Sequence, residues 1–210
     1  MKSQSSCPQC GAPVEFLFSN AVQTTCPYCS SILVRTDLDL KRVGEMSDIA
    51  ADASPIQMRT EGIYRNKAFQ VVGRIAYVYE GGNWNEWHLG FQDGTSGWLS
   101  DAQLDYAISF PVKDHPRIPP ASNVGRGWRM KIRDAELTVT TITKARYGGV
   151  EGELPFEYWD KTEMVFADLR SASRGFGTID YSEDPPLFFL GEAVEFDELK
   201  LRNLREFEGW

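Results

Sequence analysis

Apolar and polar side chains alternate most regularly in the segment Lys67–Tyr79. The apolar residues of equal parity are Phe69, Val71, Ile75 and Tyr77. Side chains two residues apart in a strand point to the same side of a sheet, so this period predicts one long strand. Gly73 lies inside the segment, at a place where a bend or β-bulge fits.

Shorter segments of the same character follow, separated by residues that favour turns. Glu80–Asn83 contains two glycines, and Asp93 with Gly94 forms a dipeptide typical of tight turns. The strands predicted around these turns are Trp84–Gln92, Ser96–Leu99 and Leu104–Val112. Short consecutive strands of this kind indicate a small SH3-like barrel or a strongly bent sheet.

The chain from Trp128 onward repeats this pattern with few residue identities. The segments that it predicts are Ala135–Thr143, Met164–Leu169, Phe176–Tyr181, Pro185–Gly191 and, at the end of the chain, Val194–Leu201. We therefore predict a mainly β fold in which two related, β-barrel-like (SH3-like) halves occupy residues 62–125 and 126–210.

All four cysteines lie near the start of the chain, in two copies of Cys-Pro-x-Cys. A tight turn lets both sulfur atoms of such a pair face one point, and Gly11 can close the first turn. The predicted strands are Val14–Phe18, Ala21–Thr25 and Ser31–Arg35, with a turn at Ser19 and Asn20. The arrangement resembles zinc ribbons of the rubredoxin-knuckle type, so residues 1–36 are predicted to bind one structural zinc ion through Cys7, Cys10, Cys26 and Cys29.

The four cysteines leave other interpretations open. Two disulfide bonds are typical of secreted proteins, but no apolar signal segment precedes Cys7. Iron can occupy the same four thiolates, although zinc is the usual ion of ribbons. A redox pair needs its CxxC at the start of a helix in a βαβ unit, and a catalytic zinc needs an open coordination position.

Residues 37–61 have mixed charge and are interrupted by Gly44 and Pro55. They predict a linker with a short helical turn at Glu45–Ala51. The net charge of the whole chain is -8, which argues against a general polyanion-binding surface. No stretch reaches the roughly 20 apolar residues of a membrane-spanning helix. With the cysteines confined to the ribbon, these features predict a cytoplasmic protein.

The densest group of chemically active side chains is the sequence NWNEWH. In a strand, Trp84, Glu86 and His88 share one face, while Trp87 and Leu89 share the other. We expect Trp87 and Leu89 to lie in the core, which leaves the other three as an outward-facing stripe. Such a stripe could bind a partner, and its Glu-His pair is a weak acid–base candidate. The competing interpretation is structural, with Trp84 covering an edge and Glu86 paired with a nearby base.

A second candidate surface is the basic stretch Arg126–Arg133. Arg129, Lys131 and Arg133 would share one face of a strand and could meet phosphate, an anionic lipid surface or an acidic partner. The alternative is a solvated face whose charge nearby carboxylates neutralise.

The remaining acidic residues do not predict a second metal site. Asp160, Glu163 and Asp168, and likewise Asp180, Glu183 and Asp184, lack the ligand spacing of a calcium-binding loop. The sequence also contains no phosphate-binding loop, dinucleotide fingerprint or nucleophile elbow. It therefore predicts no catalytic residue and does not favour an enzyme.

The chain resembles the bacterial domain-of-unknown-function family 4178 over about residues 55–205. The resemblance is carried by FQVVGRIAYVYEGGNWNEWHLGFQDGTSGWLS, GELP, ADLRS and GTIDYSED, and most specifically by WNEW and GWLS. It implies a frequently attached N-terminal zinc ribbon and a link to membrane stress. It implies no established activity, substrate or catalytic residue.

Three hypotheses about function follow from the sequence. The first is a non-catalytic adaptor that binds a protein partner through strand edges and the stripe around Trp84. The alternative is a small-ligand-binding protein or an enzyme with a cleft between the two β-halves, near Glu86 and His88. Nucleic-acid binding through the ribbon and Arg126–Arg133 is disfavoured by the acidic composition, while peripheral membrane contact through the basic residues stays open.

Overall fold

The structure is a computed structural model that describes residues 4–36, 39–46, 49, 52–132, 135–157 and 163–207. It is mainly β, as predicted, with short 3₁₀ helices at Ala121–Asn123 and Phe196–Leu199. Among the described residues, no helix combines the length and apolar character needed to cross a membrane. The N-terminal strands are β1 (Gln4–Ser6), β2 (Pro13–Glu15), β3 (Gln23–Thr25), β4 (Ser31–Arg35) and β5 (Leu40–Glu45).

Ten further strands make up the rest of the chain. The first five are β6 (Glu61–Tyr64), β7 (Lys67–Tyr79), β8 (Gly82–Phe91), β9 (Ser96–Ala102) and β10 (Asp105–Pro111). The second five are β11 (Arg129–Ile132), β12 (Ala135–Gly152), β13 (Met164–Arg170), β14 (Gly175–Asp180) and β15 (Leu187–Val194).

Local features of these strands follow the alternation of the sequence closely. β7 has the predicted bounds, and its pairing with β8 shifts register between Val71 and Gly73, which confirms the predicted bulge. The turn at Asp93 and Gly94 is also confirmed, and Gly94 takes a φ of 82° that suits a residue without a side chain. β12 runs nine residues beyond its predicted end at Thr143, since it pairs with β13 over its first part and with β7 over its last.

The ten strands form one sheet whose pairings close into a circuit. The order is β11-β12-β13-β14-β15-β10-β9-β8-β7-β6, with an additional pairing between β12 and β7. Each predicted half supplies five strands in the same order, and the halves join through β7 with β12 and β10 with β15. The two halves therefore share one hydrogen-bonded network and do not close separately.

Apolar clusters cover both sides of this sheet. Outside the first half, Trp87, Leu89 and Leu99 pack against Ile56 and against Leu199 of the C-terminal 3₁₀ helix. A second outer cluster covers the other half, and it contains Ile118, Val124, Leu137, Leu169 and Phe188. The cluster within the circuit contains Ile75, Tyr77, Trp98, Val150 and Phe166, together with Ile32 from β4.

The N-terminal segment forms two small sheets, β1-β2 and β3-β4-β5. The predicted hairpin between Val14–Phe18 and Ala21–Thr25 is wrong, because β2 pairs with β1 while β3 pairs with β4. The reason lies outside the segment, since the backbone amides of Leu17 and Phe18 donate to the Glu153 carboxylate at 2.6 and 2.8 Å. The turn at Ser19 and Asn20 is present.

The predicted linker contains regular structure at its start. β5 lies within it and pairs with β4, so the sheet of the ribbon continues past residue 36. The helical turn predicted at Glu45–Ala51 falls mostly outside the described residues, although Glu45 itself ends β5. The ribbon docks on β12 and the residues after it, where Val22 and Gln23 donate backbone hydrogen bonds to the Leu154 carbonyl at 2.9 and 3.1 Å.

Candidate functional site

The four cysteine sulfur atoms lie within 4.8 Å of one another. The Sγ atoms of Cys7 and Cys29 are 3.7 Å apart, and those of Cys10 and Cys26 are 3.8 Å apart. Four thiolates at about 2.3 Å from a tetrahedral ion have sulfur–sulfur separations of about 3.8 Å. The cluster therefore has the dimensions of a tetrahedral metal centre and could hold one ion, and its cysteines are free thiols.

Both cysteine pairs lie in turns closed in the same way. The Gly11 amide donates to the Cys7 carbonyl at 2.8 Å, and the Ser30 amide donates to the Cys26 carbonyl at 3.0 Å. Gly11 and Ser30 have positive φ values of 75° and 57°. The predicted role of Gly11 in closing the first turn is therefore confirmed, and Ser30 is its counterpart in the second.

Ser31 prepares Cys29 to act as a metal ligand. The Ser31 Oγ atom lies 3.3 Å from Cys29 Sγ. Hydrogen bonds from the side chain and backbone of Ser31 lower the pKa of Cys29 to about 6. Since the thiolate is the form that binds metals, these hydrogen bonds favour Cys29 as a ligand, whereas the pKa of Cys10 is raised to about 12. Four thiolates leave no position for water, which is typical of a metal that holds a fold together.

A second candidate site is a cavity of about 310 Å³ inside the strand circuit. Each of the eight strands of the circuit contributes at least one side chain to its lining, so both halves of the sheet are needed to form it. The exposed residues of the lining, which mark its mouth, are Gln103, Asp105 and Thr141. The cavity exists because β7 pairs with β12, which brings the inner faces of the two halves together.

Glu86 is partly buried, and its carboxyl group belongs to the cavity lining. Its Oε1 atom accepts hydrogen bonds from the Ser100 hydroxyl at 2.8 Å and from Trp84 Nε1 at 3.2 Å. Burial raises the pKa of Glu86 to about 8, and the hydrogen bonds from Ser100 and Trp84 offset only part of that shift. Nearby Asp168 and Asp180 raise it further. Glu86 therefore titrates close to neutral pH.

Asp168 and Asp180 bring two more carboxyl groups to the same lining. Asp168 Oδ1 accepts a hydrogen bond from the Thr178 hydroxyl at 2.8 Å. Burial raises the pKa of Asp168, while Thr178 and the charge of Arg170 act in the opposite direction. The Arg170 guanidinium lies over the Phe176 ring, 4.7 Å from its centroid.

Aromatic side chains form one wall of the cavity. The rings of Tyr77 and Trp84 stack with centroids 4.7 Å apart. Phe166 meets both edge-on, with its centroid 5.0 Å from Tyr77 and 5.5 Å from Trp84. On the other side of the cluster, Trp98 stacks on Phe156 at 5.7 Å. The carboxyl groups thus face a pocket with largely aromatic walls.

The predicted outward-facing stripe is placed differently by the structure. Trp84, Glu86 and His88 do share one face of β8, and Trp87 and Leu89 lie in the core as expected. That face points into the circuit, however, so Trp84 and Glu86 line the cavity and His88 is 0% exposed. The expectation of a solvent-facing stripe is wrong because the sheet bends round and encloses its second face.

His88 serves as a structural contact between the sheet and the ribbon. Its Nδ1 atom donates to the Glu153 carbonyl at 2.7 Å, and its Nε2 atom therefore accepts from the Ser96 hydroxyl at 2.6 Å. The Phe18 ring of the ribbon meets the imidazole edge-on at 5.7 Å. Burial lowers the pKa of His88 to about 4, so its ring is neutral and poorly suited to acid–base work with Glu86.

The predicted basic face is present on β11. Arg129 and Lys131 are exposed while Met130 and Ile132 are buried, as strand alternation requires. Arg129 lies 3.2 Å from Glu136 in an exposed ion pair. Arg133, the third residue predicted on this face, falls outside the described residues.

The sequence suggested a cleft between the β-halves near Glu86, but it did not place Asp168 and Asp180 in that cleft, although it had noted both as acidic residues. In the described part of the chain, only the cysteines form a group of three or more His, Cys, Asp or Glu side chains close enough to share a metal ion. Strand alternation could have placed Asp168 and Asp180 on the same inner surface as Glu86 only if the pairing of the two halves had been known.

Comparison with known proteins relates the chain to a protein family. The model of a family described as a domain of unknown function (DUF4178) matches residues 59–196. No curated protein and no solved structure matches the chain. The matched region covers all of β6–β15, and therefore the whole strand circuit that encloses the cavity. The chain belongs to the DUF4178 family.

Proposed function

We propose that this protein binds a small molecule in the cavity between its two β-halves. The observation that carries the proposal is the enclosed volume of about 310 Å³ lined by all eight strands of the circuit. Ligand pockets of proteins are typically about 300–1,000 Å³, with largely apolar walls and a few placed polar groups. The aromatic wall around Trp84 and the hydrogen-bonded Glu86 and Asp168 fit that description.

The lining favours binding over covalent catalysis. Its residues include no cysteine, lysine or histidine. The only neighbouring imidazole, His88, is engaged on both ring nitrogens by Glu153 and Ser96. Ser100 and Thr178 do donate to the carboxyl groups of Glu86 and Asp168, but the lining lacks the Ser–His or Cys–His pair that many nucleophilic enzymes use.

A ligand screen with a blocked cavity tests the proposal. Thr143 lines the cavity, whereas Thr140 on the same strand is exposed and lies outside the lining. Wild-type protein should show saturable thermal stabilisation or a change in tryptophan fluorescence with at least one small metabolite. Thr143→Phe should lose that response and Thr140→Phe should keep it. The proposal would be overturned by a response that Thr143→Phe retains, or by a chemically diverse screen in which no compound binds.

For the ribbon, we propose that the metal is zinc and that its role is structural. The proposal is supported by the four-thiolate donor set and by the sulfur separations of 3.7 and 3.8 Å. Elemental analysis of protein purified without chelators should give one zinc ion per chain. Iron at that stoichiometry, with the visible absorption of a ferric tetrathiolate, would show the assignment to be wrong.

Protein binding as an adaptor is a second candidate, and the edge of β11 favours it. β11 ends the sheet order and, among the described residues, pairs with β12 alone. A partner strand could add to its other edge, beside exposed Arg129 and Lys131. Crosslinking in cells should then recover a partner that Arg129→Ser with Lys131→Ser reduces; unchanged recovery would exclude this face.

A further inference from the structure

The charges of the cavity lining are strongly unbalanced. It contains the carboxyl groups of Glu86, Asp105, Asp168 and Asp180 but one basic side chain, Arg170. An anionic ligand would be repelled wherever these groups are ionised, and a neutral ligand would supply no opposite charge to help Glu86 and Asp168 ionise. A cation would supply that charge.

We propose that the ligand is a small organic cation that carries an ammonium group, an inference that rests on the proposed ligand-binding function. Glu86 and Asp168 are two carboxyl groups of the lining that could pair with such a cation. Among the described residues, no basic side chain forms an ion pair with Glu86 or Asp168. The Oδ2 atom of Asp168 also accepts no hydrogen bond from the described residues. Arg170 attracts Asp168 at a distance but stacks on Phe176.

Burial makes these carboxyl groups hard to ionise without a partner. The pKa of Glu86 is raised to about 8 and that of Asp168 is also raised, in both cases chiefly by desolvation. A bound cation would return the favourable electrostatic interaction that water supplies outside the protein. Ligand binding and ionisation of Glu86 are therefore expected to strengthen each other.

The aromatic wall suits an organic cation. The faces of aromatic rings carry negative charge density and attract cations within about 6 Å of the ring centroid. Tyr77, Trp84 and Phe166 meet at centroid distances of 4.7–5.5 Å, and all three contribute to the lining beside Glu86. An ammonium group with attached carbon atoms can contact the rings and the carboxylate together.

A metal ion is a poorer fit for the same charges. Calcium needs 6–8 oxygen ligands around one point, and magnesium needs a compact octahedron. Glu86, Asp168 and Asp180 do not come close enough to share an ion, since among the described residues only the cysteines do so. Dispersed carboxylates can instead surround a larger cation. At the mouth, exposed Asp105 would attract positive charge to the entrance.

Choline and butylammonium are suitable probes, since each has a neutral counterpart of nearly equal size. The counterparts are dimethylbutanol, in which carbon replaces the choline nitrogen, and butanol. Binding should be measured by tryptophan fluorescence and by equilibrium dialysis at matched ionic strength. Trp84 and Trp98 both line the cavity, so an occupied cavity should change the emission. We expect saturable binding of a cation and at least tenfold weaker binding of its neutral counterpart.

The pH dependence provides a specific signature. The charge of choline does not titrate, so any change in its affinity reports on the protein. If the ionised form of Glu86 binds choline, affinity should rise by up to about 30-fold between about pH 6.5 and about pH 9, the ratio of ionised fractions for a pKa of about 8. Glu86→Gln should weaken binding and abolish this rise. Glu136→Gln, which changes an exposed carboxyl outside the cavity, should do neither.

The outcomes separate the two proposals. If a neutral counterpart binds as tightly as its cation and Thr143→Phe abolishes both, the cavity is a ligand site but the cationic class is wrong. If neither cation binds while the metabolite screen finds a neutral or anionic ligand sensitive to Thr143→Phe, the inference is likewise overturned and the proposed function stands. Cation binding unaffected by Glu86→Gln and by Thr143→Phe would place the probes elsewhere and overturn the inference.

Discussion

Glu86 is a partly buried carboxyl group that forms no ion pair with a basic side chain among the described residues. Protein surrounds its carboxyl group, and its hydrogen-bond donors are the neutral groups of Trp84 and Ser100. Neutral donors offset part of the cost of removing a charge from water, but they do not replace an opposite charge. The pKa of about 8 is the result, and it makes the stability of the empty protein depend on pH.

Replacing this carboxyl by an amide should remove that dependence. Because the folded-state pKa of Glu86 lies above its ordinary value of 4.5, the folded protein retains a proton that the unfolded chain releases between about pH 4.5 and pH 8. The proton on Glu86 contributes roughly 4 kcal/mol to the free energy of unfolding. This contribution is fully present below about pH 4.5 and is lost as the pH rises through 8. Glu86→Gln should therefore gain stability over wild type by about that amount between pH 5 and pH 9.

Urea unfolding of the ligand-free proteins at both pH values would measure this difference. Glu136→Gln provides the control, because that carboxyl is exposed and its loss should leave the pH profile unchanged. Parallel profiles for wild type and Glu86→Gln would mean that Glu86 is not enclosed as described.

The residues of β8 show what the alternation of apolar and polar side chains can predict and what it cannot. It predicted correctly that Trp87 and Leu89 are buried and that Trp84, Glu86 and His88 lie together on the other face. Alternation specifies which side chains share a face, but not whether that face meets solvent. In a sheet that closes on itself both faces are covered, and only the long-range pairing of strands shows this.

Glu153 ties the ribbon to the sheet through two elements at once. Its carboxylate accepts the backbone amides of Leu17 and Phe18, while its carbonyl accepts from His88. Glu153 is 4% exposed and Phe18 is 7% exposed, so the Phe18 amide has little access to water as an alternative partner, whereas Leu17 is exposed. Gly73 is required beside it, since a Cβ atom there would lie 2.0 Å from the Glu153 carbonyl oxygen.

Glu153→Ala should destabilise the docked ribbon, because it leaves two backbone amides without an acceptor. The cost of an unsatisfied buried donor is about 1–3 kcal/mol each, and relaxation of the loop can recover part of it. Hydrogen exchange should rise at Leu17 and Phe18 while the metal content stays at one ion per chain. Glu157→Ala, at an exposed position nearby, should leave exchange unchanged. Unaltered exchange in Glu153→Ala would show that docking does not depend on this carboxylate.

The same contact explains why one element of the ribbon could not be predicted. The spacing of the cysteines and the position of Gly11 depend on local geometry, and both turns have the expected form. The partner of β2 depends on Glu153, which lies more than a hundred residues further along the chain. No local pattern in the sequence carries that information, whereas β7 is encoded by its own alternation and has the predicted bounds.

The whole molecule contains a small unit and a large one, and they should respond differently to loss of metal. The ribbon has its own small cluster around Cys7, Phe16, Cys26 and Leu33, whereas the strand circuit has three larger clusters. Thiolate coordination contributes on the order of 10 kcal/mol in zinc-finger peptides, far more than such a small core can supply. A strong chelator should therefore unfold the ribbon and leave the circuit folded.

Hydrogen exchange resolved by segment would measure this. Protection should be lost in residues 4–36 and retained in β8, β9 and β13. Cys10→Ser should reproduce the effect without chelator, while Ser5→Ala, which keeps every ligand, should not. Global unfolding on chelation would contradict the independence of the two units.

The arrangement of the two β-halves was predictable in part. The repeated pattern indicated two sets of strands, and both sets have the same order. Their union into one circuit depends on the pairing of β7 with the end of β12, where Gly73 meets Gly152. Such long-range pairing is specified by the complementarity of two surfaces, which a single sequence does not display.

Ile32 belongs to the ribbon by sequence but packs among Ile75, Tyr77 and Trp98, which also line the cavity. β4, which carries it, directly follows the second cysteine turn. The ribbon and the cavity lining thus share one apolar cluster. If removing the metal displaces Ile32, ligand affinity must fall, and by thermodynamic reciprocity a bound ligand must make the metal harder to remove by the same factor. Through Ile32, the occupancy of the metal site would then change the affinity of the cavity for a chemically unrelated ligand.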